Sequence, residues 1–240
     1  MQKCKTLLLM LPAFLIVLSI CLLIGILGDK AIAAMSESRY LSERHTLVID
    51  AGHGGEDGGA TSCTGVLESE YNLKIAMRLD ALMNLLGVQT KMIRTADISV
   101  YTKGDSLSEK KISDLKERVR LVNSTNNALL VSIHQNYFNE SQYSGAQVFY
   151  GVHPDSKDFA VNTQSMLVKY LNTGSKRAAK KANEIYLMQK VNCPAILVEC
   201  GFISNPEEDA LLQSDDYQKK LCCVLSVAIM SQLEYAQTLS

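Results

Sequence analysis

The sequence predicts an α/β fold: a single domain with a central, mostly buried mixed sheet flanked by helices, behind an N-terminal transmembrane or signal helix. Three observations carry this. Short aliphatic and β-branched runs alternate with stretches of helical periodicity, the pattern of a sheet covered by helices. The 240 residues can bury one sizeable core without disulfide staples. Hydrophobic residues make up 47% and charged residues 20%, which excludes a disordered chain.

The first element is apolar. From Leu7 to Leu27 no residue is charged. At about 1.5 Å per helical residue, such a run crosses the ~30 Å hydrocarbon layer of a bilayer. Lys3 and Lys5 precede it, which puts the N-terminus in the cytoplasm and exports everything after residue 30. The run exceeds a signal-peptide core, so an uncleaved anchor is expected; Ala31-Ile32-Ala33 keeps a cleaved signal as the alternative. The expected organisation is an anchor or signal over 1–34, a polar tether over 35–44, and the folded domain over 45–236.

Within that domain, Thr46–Asp50 (TLVID) reads as a buried strand entering a Gly-rich turn. Glu70–Leu86 reads as a helix with Leu73, Met77, Leu82 and Leu85 at helical spacing, closed by Gly87. Val88–Ile93 is the next strand, and polar Tyr101–Lys111 reads as a loop. Ile112, Leu115, Val119 and Val122 form a stripe that predicts a helix over 112–125. Leu129–His134 (LLVSIH) is a second buried strand, Gly145–Tyr150 another, and Phe159–Leu171 a helix. The basic stretch up to Asn183 is expected to be exposed. Ala195–Glu199 (AILVE) is a third apolar strand, Pro206 opens a short acidic helix, and a last helix runs from about Asp216 to Tyr235. The pattern does not set the strand order.

Composition excludes some functions. Lys and Arg number 24 against 25 Asp and Glu, so there is no basic excess and no nucleic-acid partner is expected. Without residues 1–34 the chain keeps 21 basic and 24 acidic groups. Trp is absent, which excludes a sugar platform of stacked indoles, though Tyr could still serve in such a role. Outside the apolar run lie Cys63, Cys193, Cys200, Cys222 and Cys223, an odd set without C-x-x-C spacing. They read as free buried thiols.

Chemistry collects at strand ends. TLVID-AG leads into His53, LLVSI ends at His134, and AILV ends at Glu199. Ligand sites in open α/β sheets lie beyond the carboxyl ends of the strands, so these residues are expected in one crevice. A lone strand-end His is usually a hydrogen-bonded edge residue. Two of them, with a Gly cluster and a Glu after four apolar residues, point to a metal site. His45, at the tether, and His153, in a His-Pro turn, read as solvated. Gly52, Gly54, Gly55, Gly58 and Gly59 match no phosphate-binding pattern. Their expected role is to bend the backbone around His53 and let a ligand approach closely. Asp50 is expected to satisfy the turn backbone, with orientation of a metal ligand as the alternative. Catalytic zinc usually has three protein ligands, and the further candidates are Asp57, Glu68 and Glu70. Glu68 follows Val66-Leu67 and precedes the helix expected from Glu70, a fixed position at an element boundary, and Glu70 reads as a first-turn residue favoured by the helix dipole.

At these residues the sequence resembles a known family. IDAGHGGEDGGA, LESEYNL, SIHQN and PAILVECGFISNPEE, in that order, resemble the zinc-dependent N-acetylmuramoyl-L-alanine amidases of the amidase-3 type, over about residues 45–235. GDSLSEKKISDLKERVRLVN and IYLMQ are more particularly similar to the CwlD group. These are amidases of spore-forming Gram-positive bacteria that help form muramic-δ-lactam in the spore cortex. The resemblance implies Zn2+ held by His53, Glu68 and His134, with Glu199 as the catalytic glutamate. It implies hydrolysis of the amide between N-acetylmuramic acid and L-alanine in peptidoglycan. The expected location is the extracytoplasmic face of the membrane, in the forespore or cortex space, with the N-terminal segment as the membrane contact. An accessory or activating protein is a further candidate partner. Tyr137 and Cys200 depart from the family pattern; neither removes a ligand, and Tyr137 is expected to narrow the cleft. The rival readings are a zinc peptidase acting on wall peptides and a non-catalytic wall-binding module of the same fold.

Overall fold

The computed structural model describes residues 45–238 and, before them, positions 23, 25–28 and 30. The chain divides into two units, Met1–Tyr40 and Leu41–Ser240. The described positions of the first unit are helical; the rest of the expected anchor or signal segment over 1–34, and the tether over 35–44, lie outside the described residues. Among the described residues no helix is long and apolar enough to cross a membrane.

The second unit is built on six strands: β1 Thr46–Ala51, β2 Thr90–Met92, β3 Ala128–Asn136, β4 Gln147–Tyr150, β5 Lys180–Lys181 and β6 Ala195–Phe202. They lie in the order β2-β1-β3-β6-β4-β5. β1, β2, β3 and β6 are parallel, and β4 runs antiparallel to β6, so the sheet is mixed. The helices are α1 Glu68–Leu85, α2 Leu107–Asn123, α3 Ser156–Tyr170, α4 Tyr186–Lys190, α5 Pro206–Gln213 and α6 Asp215–Thr238.

The central strands are aliphatic throughout because both faces are covered. On one face Leu47, Ile49, Val131, Ile133, Ile196 and Val198 pack against α1, α3 and α6 through Ile75, Leu79, Phe159 and Leu225. On the other, Val48, Leu130 and Leu197 meet Val122 of α2 and Leu187 and Met188 of α4. Each such side chain contributes about 1.5–3 kcal/mol when fully buried.

Several elements differ from expectation. α1 turns Tyr71, Ile75, Leu79 and Met83 inward and leaves Met77 and Leu85 exposed, because its inner face serves the core and the site together. α2 starts at Leu107, inside the expected loop. A capping box sets that start: Ser106 Oγ accepts from Glu109 N at 3.3 Å, and the Glu109 carboxylate accepts from Ser106 N at 3.1 Å. Ile112 therefore faces solvent. The basic stretch up to Asn183 ends in the two-residue edge strand β5, whose Lys180 and Lys181 are exposed as expected, and beyond it the chain forms the short helix α4, which the sequence did not indicate. Of the cysteines expected to be buried, Cys200 and Cys222 are, while Cys63 and Cys223 are exposed. Cys222 and Cys223 differ because adjacent helical residues point about 100° apart.

Candidate metal centre and active site

Strand alternation places the polar strand ends. Successive side chains point to opposite faces. Asp50, Ser132, His134 and Glu199 therefore share the face of Val48, Leu130 and Leu197. Register brings them together: Asp50 pairs with Ser132, and His134 with Glu199.

His53 lies on the turn after β1 with φ of 59°, a left-handed conformation that costs a residue other than Gly about 1–3 kcal/mol. Two buried arginines hold it there. Arg118 donates through Nη2 to His53 O at 2.7 Å and through Nη1 to Ala51 O at 3.0 Å. Arg94 donates through Nε to Ala51 O at 2.8 Å and through Nη2 to Gly52 O at 3.0 Å. Asp50 was expected to serve the turn backbone or to orient a metal ligand. Instead it pairs with Arg118 and accepts from Ser132 Oγ at 2.7 Å; the guanidinium, with its several donors, is what reaches the turn carbonyls.

The glycines make room for protein side chains. A Cβ at Gly52 would lie 2.2 Å from His134 Nε2, and one at Gly59, whose φ is +69°, would lie 2.6 Å from Glu68 Oε2. These two positions admit an imidazole and a carboxylate, where approach of an external ligand was expected.

Glu68, the first residue of α1, is buried between the two histidines. Its Oε2 lies 3.3 Å from His53 Nε2 and its Oε1 3.0 Å from His134 Nδ1. One ligand atom from each of His53, Glu68 and His134 lies within 4.8 Å of the others. The imidazole centroids are 5.0 Å apart. The carboxylate is fixed by Ala60 N at 3.1 Å, Gln135 N at 3.2 Å and Asn72 Nδ2 at 3.3 Å. Asn72 is tied in turn by Gln135 Nε2, which donates to its Oδ1 at 3.2 Å. Of the other third-ligand candidates, Asp57 sits on the far side of His53, 3.0 Å from Nδ1. Glu70 is exposed in the first turn of α1.

Sequence reasoning missed Asn72, Gln135, Arg94 and Arg118. Only Asn72 left a signal: it follows Glu68 by one helical turn and so shares its face. His45 and His153, expected to be solvated, are half-buried and line a different cavity, because the start of β1 and the His-Pro turn pack over the amino ends of the strands. Tyr137, expected to narrow the cleft, is 48% exposed and does not line it: β3 ends at Asn136, and Tyr137 begins the loop beyond.

Charge at the site is lopsided. Burial weighs against a charged His53, but the carboxylates of Asp57 and Glu68 outweigh it and push its pKa up to about 9. Burial works to raise the Glu68 carboxyl, yet the two imidazoles draw it well below the usual carboxylate range. Glu199 behaves oppositely: burial pushes it up to about 7, against the pull of His134 and with Glu68 adding to the rise. Its Oε2 is shielded from solvent and has no hydrogen-bond partner. His53, His134 and Glu199 line one cleft of about 210 Å³, walled by Ile185, Leu187 and Leu197. The residues fit a divalent cation. Two imidazole nitrogens and a carboxylate oxygen converge, negative charge is in excess, and a buried carboxylate oxygen lacks a donor.

An open α/β sheet with this set of groups at the carboxyl ends of its strands has the make-up of a metal-assisted hydrolase. Residues 47–230 match the N-acetylmuramoyl-L-alanine amidase family, and the chain belongs to it: it is an amidase of peptidoglycan. The germination-specific N-acetylmuramoyl-L-alanine amidase of Bacillus subtilis (strain 168) is 36% identical over 186 residues, covering 77% of this chain and 78% of that one. The CwlD amidase of Clostridioides difficile, solved in complex with the GerS lipoprotein, superposes with a TM-score of 0.76 at 34% identity, covering 79% of this chain and 98% of that one. An N-acetylmuramoyl-L-alanine amidase of Clostridium difficile 630 gives 0.68 at 32% identity, over 80% and 98%. The family resemblance carried by the four motifs, the CwlD-like subgroup indicated by GDSLSEKKISDLKERVRLVN and IYLMQ, and the mixed α/β fold are all borne out.

Proposed function

We propose that this chain is a zinc enzyme that hydrolyses the amide between the lactyl group of N-acetylmuramic acid and the L-alanine of the stem peptide, in forming muramic-δ-lactam of the spore cortex. The convergence of His53, Glu68 and His134 within 4.8 Å, with the Glu199 carboxylate and its unpartnered Oε2 in the same cleft, carries this reading. His53 through Nε2, His134 through Nδ1 and Glu68 would hold the ion. When bound, zinc supplies a Lewis acid that polarises the amide carbonyl and makes water a stronger acid.

The chain's own residues do the rest. Glu199, with a pKa raised to about 7, takes the proton of the attacking water and passes it to the leaving amine. Ile185, Leu187 and Leu197 keep bulk water from the site. Asn72 and Gln135 N fix the Glu68 carboxylate, and Arg94 and Arg118 fix the His53 turn. Residues 1–34 serve as anchor or signal and 35–44 as tether to the folded domain over 45–236, which puts the reaction on the extracytoplasmic face. An accessory protein is part of the proposal, because the CwlD amidase of Clostridioides difficile forms a complex with a lipoprotein.

Glu199→Gln is the test. The variant is expected to keep one equivalent of zinc and lose about 10²–10⁴-fold in turnover, the usual span for general acid–base catalysis. Products from wild type should show a new L-alanine amino group on an intact stem peptide. Undiminished release by the variant would overturn the role of Glu199, and cleavage inside the stem peptide would favour a zinc peptidase.

A further inference from the structure

The basic segment between α3 and α4 takes no part in the chemistry above. It carries Lys176, Arg177, Lys180 and Lys181, and none of them forms an ion pair among the described residues. In a domain with more acidic than basic groups, that is a local excess of basic charge, offset at Arg177 by the field of the nearby Glu208 carboxylate.

Arg177 differs from the lysines in being built into place. Its Nε donates to Ser144 O at 2.9 Å, its Nη1 to Gln147 Oε1 at 3.4 Å, and its guanidinium lies 4.8 Å from the centroid of the Phe202 ring. Gln147 is buried and fixed, donating from Nε2 to Ala178 O at 2.7 Å. The neighbouring acid, Glu208, is already engaged: its two oxygens accept from Gly145 N and Phe202 N, each at 2.8 Å. A guanidinium has more N–H donors than these contacts use. The group is therefore held planar and pre-oriented, with donors to spare. It borders a cavity of about 830 Å³ that also takes in Asn172, Lys176, Lys180 and the backbone-bonded Glu208 carboxylate.

The cavity lies beside the active cleft. Gln147 is the cross-strand partner of Glu199, and directly opposed residues in an antiparallel pair share a face. Strand spacing of about 4.8 Å plus the reach of a Gln side chain puts Arg177 within roughly 12 Å of the Glu199 backbone. An extended peptide advances about 3.3 Å per residue, so that distance spans roughly three residues.

We propose that Arg177, with Lys176 and Lys180 on the rim, binds a side-chain or backbone carboxylate of the stem peptide within the first three residues beyond the scissile amide, and so favours acidic over amidated stems. This rests on the amidase reading of the cleft. A fixed guanidinium offers two parallel N–H groups to a carboxylate and much less to a neutral amide.

The test compares two muropeptides, one with a free carboxylate on the second stem residue and one with the carboxamide there, on the full-length chain. Wild type should favour the acid about tenfold in kcat/KM, and added salt should erode the preference. Arg177→Ala should raise KM for the acid form about tenfold, leave its kcat within twofold, and leave the amide form unchanged. Arg177→Lys should restore part of the preference. Lys176→Ala with Lys180→Ala, which leaves the Arg177 packing intact, should weaken the preference severalfold even if the Arg177 variants fold poorly. Calorimetric binding of the two free stem peptides reads the same subsite without turnover. Selective binding of the acid without cleavage of either muropeptide would overturn the amidase reading and keep the subsite. Equal treatment of acid and amide by wild type, or equal loss on both in the variants, would overturn the subsite.

Discussion

Arg118→Met removes the guanidinium beneath the His53 turn while keeping much of its volume. Arg118 and Asp50 are 3% and 1% exposed. The guanidinium pairs with Asp50 and, at 2.6 Å, with Asp114 Oδ2, and it serves two turn carbonyls besides. Burial alone would raise the Asp50 carboxyl, but the charge of Arg118 and the Ser132 hydroxyl outweigh it and hold it below its usual value. With Met at 118 the buried carboxylate keeps Ser132 as its one side-chain hydrogen-bond donor, with only the fields of His134 and Arg94 besides. Breaking a buried pair from one side costs about 3–5 kcal/mol. At roughly 2–4 °C per kcal/mol for a domain of this size, the variant should melt roughly 6–20 °C below wild type at pH 7. Thermal unfolding followed by circular dichroism reads this directly. The pH dependence has a definite sign. A depressed folded-state pKa means the contribution of Asp50 is present above the unfolded value of about 3.9 and is lost as pH falls through the folded one. In the variant the unpaired carboxyl is instead relieved by protonation, so the gap between the two melting curves should narrow toward pH 4 and below. A loss under 2 °C, or a gap that ignores pH, would refute the reasoning.

Other perturbations separate the metal shell from the scaffold. Asn72→Leu takes one donor from Glu68 Oε1 and another from Gly52 O, and should weaken zinc binding about 10–100-fold, read by chelator competition. Tyr71→Phe removes a hydroxyl from buried Asp209, which keeps Thr64 Oγ1 at 2.7 Å. It should cost about 1.5–3 kcal/mol in urea unfolding, as for a hydrogen bond to a charged group, with zinc retained.

How much of this was legible depended on whether the cause was local. TLVID, LLVSIH and AILVE announced themselves because strands covered on both faces need aliphatic residues without interruption, and their polar ends stood out against that run. The adjacency of β1, β3 and β6 was not legible, since pairing among distant strands is set by packing that no local pattern records. The start of α2 was written in Ser106 and Glu109 but masked by the polar run around them. The inward face of α1 was misjudged because Met77 and Leu85 are more apolar than Asn72, yet Asn72 is buried to hold Glu68. Arg94 and Arg118 resembled ordinary surface charges. They are inside because a left-handed His53 leaves turn carbonyls that need donors. Asp57, Glu68 and Glu70 could not be told apart by spacing; in the fold Glu68 alone of the three touches both imidazoles.

The most direct test of the metal assignment is the anomalous signal at the zinc edge from crystals of the full chain grown with zinc. The account predicts a single peak with nitrogen from His53 and His134 at about 2.0–2.1 Å, an oxygen of Glu68 at about 2.0–2.2 Å, and Glu199 nearby but not ligated. A peak elsewhere, or one whose ligands include Glu199 in place of Glu68, would contradict it.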